Sequence, residues 1–315
     1  HAPHTILAAS RGKHVIVEKP MALNLAEAEQ MIEACERNGV HLLCGGSRSS
    51  SAVVRGMRQI VRENRLGRLR AMTSWAATDW MLRPRRPDEY DVNLGGGVAF
   101  RQAPHMVDSM RLIAGGVVDR VRGVTGAWMP PRDTAPGFFS ALLEFEDGVF
   151  ATCVYSAYGY FMAAELFDPD ASGPNAPGLA GRIEARRQIV GGTRDEAAAK
   201  EQRTMGAQAA GGGRSRYLSD LGLLVVSCEQ GEVRQSPNGL YVYDDAGTSE
   251  VEFDAGRGGS PELEELYDTV VAGRPLLHSG RWGLATLEVC LAIMQSARDK
   301  ADVKLTRQVP VPDSW

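Results

Sequence analysis

The sequence predicts an α/β protein: the C-terminal part of a doubly wound parallel domain, followed by an α+β domain with a large, mainly antiparallel sheet. Three observations predict it. Two short apolar runs, 14–17 and 41–44, flank one amphipathic helix, the spacing of a parallel strand–helix–strand unit. From about residue 67, strand-like segments recur with turn residues between them. The chain has 315 residues, 43% of them hydrophobic, enough to bury two cores.

Residues 2–11 suit a short helix stopped by Gly12. The run His14-Val15-Ile16-Val17 reads as a buried strand, ended by Pro20. Asn24 with Glu27 three residues on is a capping box. Leu25, Ala28, Met31, Ile32 and Cys35 then follow at helical spacing, and Gly39 closes the helix. His41-Leu42-Leu43-Cys44 is the second strand.

Segments 68–79, 117–128, 138–145 and 149–155 are strand-like, with Glu146-Asp147-Gly148 as a hairpin signal. Segments 222–227, 231–236, 239–244 and 248–253 continue the sheet. Ser260-Pro261 opens a helix whose buried stripe is expected to be Leu263, Leu266, Tyr267, Val270 and Val271. A last helix covers about 281–300. Residues 168–216 contain no Phe or Trp, and read as a mobile surface insertion, partly helical over 194–205. The expected division is 1–46, then 47–300, then a tail at 301–315.

Composition excludes several classes. Lys and Arg number 35 against 39 Asp and Glu, a net charge of −4, with no long basic tract, so no nucleic-acid partner is expected. No apolar run is long enough to cross a bilayer as a helix. The five cysteines form no CxxC pair and match no zinc spacing, which predicts buried thiols, a reducing compartment such as the cytoplasm, and no metal.

The most specific motif is KHVIVEKPM, residues 13–21. It places Glu18 and Lys19 at the carboxyl end of a parallel strand, where open α/β sheets bind ligands. A lysine held beside apolar strand residues can hydrogen-bond a reacting hydroxyl. Further on, GGGVAFRQAPHMVD sets Arg101 and His105 four residues apart, on one face if they share a helix. Pro104 fits only a first turn or a kink, so a helix starts near it. The histidines 14, 41 and 278 read as structural.

Residues 13–21, the capped helix, Cys44-Gly45-Gly46-Ser47-Arg48 and residues 95–108 together resemble the Gfo/Idh/MocA oxidoreductase family. The resemblance leaves out only the 168–216 insertion, and is nearest to the family's phthalate dihydrodiol dehydrogenase branch. It implies a Rossmann domain, an α/β partner domain, and NAD or NADP as cofactor. It makes Lys19 and His105 the catalytic pair, His105 moving the proton, and Glu18, Lys19, Pro20 and Arg48 cofactor contacts. Where the family often has Asp, this chain has Arg101. Arg101 with Arg83 would then hold an anionic substrate, since a guanidinium grips a carboxylate with two parallel hydrogen bonds. The expected reaction is hydride exchange between nicotinamide and a secondary alcohol, a carboxylated cyclic cis-dihydrodiol or polyol, in a homo-oligomer. The glycine-rich pyrophosphate turn is not in the sequence, so about 70–80 upstream residues are expected. The rival readings are a non-catalytic sensor on the same fold and an inactive truncated product.

Overall fold

The computed structural model describes residues 1–46, 48–166, 178–209, 222–253 and 260–312. The chain begins with helix α1 (Ala2–Ala9), strand β1 (Val15–Val17), helix α2 (Leu25–Arg37) and strand β2 (Leu42–Cys44). β1 and β2 pair in parallel, Val15 opposite Leu42 and Val17 opposite Cys44. Asn24 caps α2 by accepting the Glu27 N–H at 2.9 Å, and Ala28, Met31, Ile32 and Cys35 face inward as their spacing predicts. The expected buried strand is corrected at one position: Ile16 is 42% exposed. Among the described residues this sheet has two strands, so β1 is an edge with one side uncovered.

Helix α3 (Ala52–Arg62) follows, which the strand-by-strand reading passes over. Its signal was present: Ser51 accepts the Val54 N–H, and Val53, Met57 and Ile60 bury one face. Strand β3 (Leu69–Ala77) leads to α4 (Val98–Arg101), α5 (Ala103–Ala114) and strands β4 (Val118–Gly126), β5 (Phe138–Phe145) and β6 (Phe150–Ser156). Helices α6 (Leu179–Val190) and α7 (Glu196–Ala209) precede β7 (Leu223–Cys228), β8 (Gly231–Gln235), β9 (Gly239–Asp244) and β10 (Gly247–Glu252). Helices α8 (Pro261–Ala272) and α9 (Gly280–Asp299) and the short strand β11 (Val303–Lys304) end the described chain.

The large sheet runs β10-β9-β8-β7-β3-β6-β5-β4-β11. Its ladders are antiparallel except β3 with β6, so the mainly antiparallel expectation holds. Alternate residues of β5 and β6 (Phe139, Ala141, Leu143, Ala151, Cys153, Tyr155) point into one core with Met106 and Met110 of α5 and Val289 and Ile293 of α9. Gly123 of β4 has no room for a side chain, since a Cβ would lie 2.7 Å from the Ile293 carbonyl oxygen. α9 also serves the first core through Leu284 and Leu287, so one helix joins the two lobes.

Three expectations change. The α8 stripe is reversed: Leu266 is buried, but Leu263, Tyr267 and Val271 are 60%, 62% and 63% exposed. The helix instead turns Glu265 and Thr269 inward, because Glu265 has a buried partner in His278. The 168–216 insertion carries two helices over its described part. Arg132 pairs with Glu196, Lys200 with Glu89 at 2.6 Å, and Arg194 donates to the Leu82 carbonyl at 2.5 Å, which docks this part onto the segment after β3. Residues 168–177 and 210–216 of it lie outside the described residues. The 301–315 tail is fastened as far as it is described: β11 pairs with β4, and the Val311 N–H donates to the Gly115 carbonyl at 2.8 Å.

Candidate active site

β1 stops at Val17, and the chain turns through Glu18 and Lys19 into a cis Lys19–Pro20 peptide. The Lys19 ammonium donates to the Arg101 carbonyl at 3.0 Å, reaching from the first lobe to the second. Arg101 and His105 do not share a helix. α4 ends at Arg101, Gln102 caps both it and α5, and His105 sits in the first turn of α5. Pro104 has no N–H to continue the α4 ladder, which explains the break.

Lys19 and His105 nevertheless line one small cavity, with Gly45, Gly46, Asp108 and Trp282. Its volume is about 20 Å³, room for a single water-sized group. Burial lowers the Lys19 pKa to about 8; Glu18 opposes the shift, and Arg101, Arg48 and Arg85 add to it. Burial also lowers the His105 pKa to about 3, helped by the positive charges of Lys19 and Arg48. His105 is therefore a neutral imidazole at physiological pH, and a weaker base than the near-neutral imidazole that its residue type leads one to expect, because burial and two cations disfavour its charged form.

The arginines divide by placement. Arg48 faces both Lys19 and His105. Arg101 turns its Nε to the Gly95 carbonyl at 2.9 Å and its Nη2 to Asp88 at 3.3 Å. Arg83 is paired with Asp79 at 2.8 Å and is not among the charges acting on Lys19; Arg85, two residues on, is. Arg85 is itself held by Glu89 at 2.8 Å and stacks on Trp80. Glu18 is exposed beside Gly45, and Pro20 is partly buried.

Sequence reasoning did not join the groups behind the cavity. Asp108 accepts the Trp282 indole N–H at 2.5 Å, and its other oxygen meets the Ser49 hydroxyl. Ser49 contacts His278 Nε2 at 2.7 Å, and His278 Nδ1 contacts Glu265 at 2.5 Å. Gly46 is required here, since a side chain would run into the His278 ring. His278 is a buried histidine with its ring nitrogens partnered, as its structural reading expected. Glu265 is 13 residues from it, but Ser49 is 229 residues away and 59 from Asp108, so no local spacing announces the group.

Comparison with known proteins bears on this geometry. The sequence profile of the oxidoreductase family with an NAD-binding Rossmann fold matches residues 1–45, and that of the GFO/IDH/MocA C-terminal domain matches 54–166. A 1-carboxy-3-chloro-3,4-dihydroxycyclohexa-1,5-diene dehydrogenase of Comamonas testosteroni is 31% identical over 95% of this chain and 76% of its own length. The chain belongs to the Gfo/Idh/MocA oxidoreductase family. A crystal structure described as a dehydrogenase of Bordetella bronchiseptica RB50 superposes on this Gfo/Idh/MocA chain with TM-score 0.85 and 39% identity, covering 97% of this chain and 80% of the other. The WlbA dehydrogenase of Bordetella pertussis, in complex with NADH and UDP-GlcNAcA, shares the fold at TM-score 0.63 and 20% identity, covering 97% and 76%.

This Gfo/Idh/MocA chain is thus an NAD(P)-dependent dehydrogenase on a Rossmann-type α/β fold. Lys19, Cys44 and Gly45 stand at the carboxyl ends of β1 and β2, where open α/β sheets take nucleotides, but the cavity there has room for one water-sized group and none for a nicotinamide ring. The carboxyl ends of β1 and β2 open on the cavity, and an ammonium with three nearby guanidinium groups offers donors to an anionic dinucleotide. No helix among the described residues is long and apolar enough to cross a membrane.

Proposed function

We propose that this dehydrogenase oxidises a secondary alcohol of a carboxylated cyclic cis-dihydrodiol, with Lys19 and His105 as its catalytic residues. The observation that carries the reading is that the two side chains, from different lobes, line one cavity at the carboxyl ends of β1 and β2. When bound, the nicotinamide accepts the carbinol hydride. Lys19 donates a hydrogen bond to the alcohol oxygen and fixes its orientation. The neutral His105 imidazole takes the hydroxyl proton. Glu18, Pro20 and Arg48 border the cofactor side. A non-catalytic sensor has no use for a buried neutral imidazole facing an ammonium.

The substrate class rests on charge. The Comamonas testosteroni relative is named for a carboxylated, dihydroxylated ring. Here the positive charges of Arg101, Arg48 and Arg85 act on Lys19. Arg101 holds the substrate carboxylate in this reading, and Arg83 supports it from its pair with Asp79. The test is an assay of nicotinamide reduction by the expressed protein, with a carboxylated cis-dihydrodiol and its methyl ester, each with NAD and with NADP. Faster turnover of the acid supports the proposal; equal rates, or oxidation of neutral polyols alone, overturn the substrate class.

We also propose a homo-oligomer formed through the outer face of the large sheet. Phe138, Leu142, Phe150 and Val154 stay partly or fully exposed there, on the side away from α5 and α9. Sedimentation of the native protein against Leu142→Glu reads it: dissociation supports the face, and an unchanged mass removes it.

A further inference from the structure

We infer that Asp108, Ser49, His278 and Glu265 form a proton relay from the active-site cavity to a second, outer cavity lined by α8 and by Ser50 and Arg55. The inference rests on the dehydrogenase reading above, because that reaction releases a proton inside the protein.

The geometry is continuous. Asp108 lines the inner cavity with Lys19 and His105. Its Oδ2 meets Ser49 Oγ, which lies 2.7 Å from His278 Nε2, and Nδ1 of the same ring lies 2.5 Å from Glu265 Oε2. Glu265 also lines the outer cavity, of about 710 Å³, with Ser50, Arg55, Glu264, Asp268 and Arg274. The chain thus connects a site that has room for one water with a wide polar opening.

Each link is held in place. Trp282 Nε1 fixes the other oxygen of Asp108, and the His278 backbone N–H fixes the other oxygen of Glu265 at 2.8 Å; the Gly46 carbonyl, 2.9 Å from Ser49 Oγ, competes with His278 Nε2 for the one hydroxyl proton. Ser49 and His278 are both fully buried, at 0% exposure. The Ser–His–Glu order is that of a nucleophilic triad, but a serine with no exposed surface cannot meet a substrate carbonyl. Transfer of a proton needs no such approach.

Protons balance along the chain in two bonding patterns. In one, a proton arriving on Asp108 is donated towards Ser49, Ser49 donates to Nε2, and Nδ1–H donates to Glu265. In the other, the Asp108 proton has passed to Ser49 as the Ser49 proton passed to Nε2, which leaves Asp108 ionised and His278 an imidazolium. Loss of the Nδ1 proton to Glu265, and from there to solvent, moves one proton out and leaves the ring protonated on Nε2, so a tautomer reset by ring reorientation and proton exchange must precede the next transfer. No oxidant or other reactant is consumed. Glu265 from α8 and Asp108 from α5 favour the charged ring, while burial and Arg55 from α3 oppose it; the net shift of the His278 pKa is upward. The proton therefore has a resting place midway. His105 hands the alcohol proton to Asp108 through the group that fills the inner cavity.

Stopped-flow mixing with a pH indicator dye tests the relay. In the native protein, proton release and nicotinamide reduction follow one time course. In Ser49→Ala, release lags reduction by at least about tenfold, and imidazole buffer restores it in His278→Ala. Simultaneous release in Ser49→Ala, or a loss in His278→Ala that buffer does not change, overturns the relay. A second measurement needs no turnover and so separates this failure from failure of the dehydrogenase reading. Nitrogen-15 NMR of the native protein reads exchange of the His278 ring proton with solvent. Glu265→Gln slows that exchange at least about tenfold if Glu265 is the exit, and equal exchange rates overturn the proposal.

Discussion

Lys19 Nζ donates to the backbone carbonyl of Arg101 at 3.0 Å, so the end of β1 and the end of α4 are tied across the boundary between the two lobes. The bond aims the ammonium at the cavity that His105 borders. It uses the Arg101 main chain, while the side chain at that position is held by the Gly95 carbonyl and Asp88.

Lys19→Ala removes the group that orients the alcohol. Turnover falls by about 10²–10⁴-fold, the scale of one positioned proton-handling group, while circular dichroism is unchanged. Lys19→Arg does not restore the rate, because a planar guanidinium cannot take the place of a compact ammonium.

The fold carries a cost for this lysine. Its pKa is lowered from 10.5 to about 8 on folding, so the unfolded chain binds more protons between those values. The penalty is fully present below pH 8 and disappears as pH rises towards 10.5. Lys19→Met therefore raises the melting temperature at pH 7 by about 2–4 °C, and the gain fades at pH 10. A gain independent of pH would mean that packing, not charge, is responsible.

In the proposed function, substrate charge is read through Arg101. Arg101→Gln raises KM for a carboxylated diol by about 10–100-fold, the worth of one charge-assisted hydrogen bond, and leaves KM for a neutral diol unchanged. An equal rise for both substrates would show that the Asp88 and Gly95 contacts of Arg101 hold the loop instead.

Arg111 is a structural counterpart to these residues. It is fully buried on α5, stacks 3.8 Å from the Trp282 ring centre, and donates to the Gly116, Trp282 and Val309 carbonyls and to Thr286. Arg111→Ala leaves these acceptors unpaired in a cavity and costs about 3–5 kcal/mol in chemical unfolding, with the loss visible before any effect on KM.

The sequence by itself determined the two kinds of sheet, the capped α2 helix, the recurring strands and which two residues are proposed as the catalytic pair. Those features are local: a capping box, period-two alternation, and a motif at a strand's end, each written in a few adjacent residues. Their spacing also led to the family resemblance that the comparisons support. Tertiary structure alone decided the rest. The helix start that Pro104 announces in the sequence is observed, with α5 opening at Ala103, but only the structure shows α4 ending just before it, so that Arg101 and His105 reach the site by different routes. Glu265 faces inward against the apolar pattern of α8, because a buried imidazole from the start of α9 outweighs the exposed leucine and valines. Asp108, Ser49, His278 and Glu265 are brought together by packing of four separate elements, and an interaction between distant residues leaves no period or spacing to read.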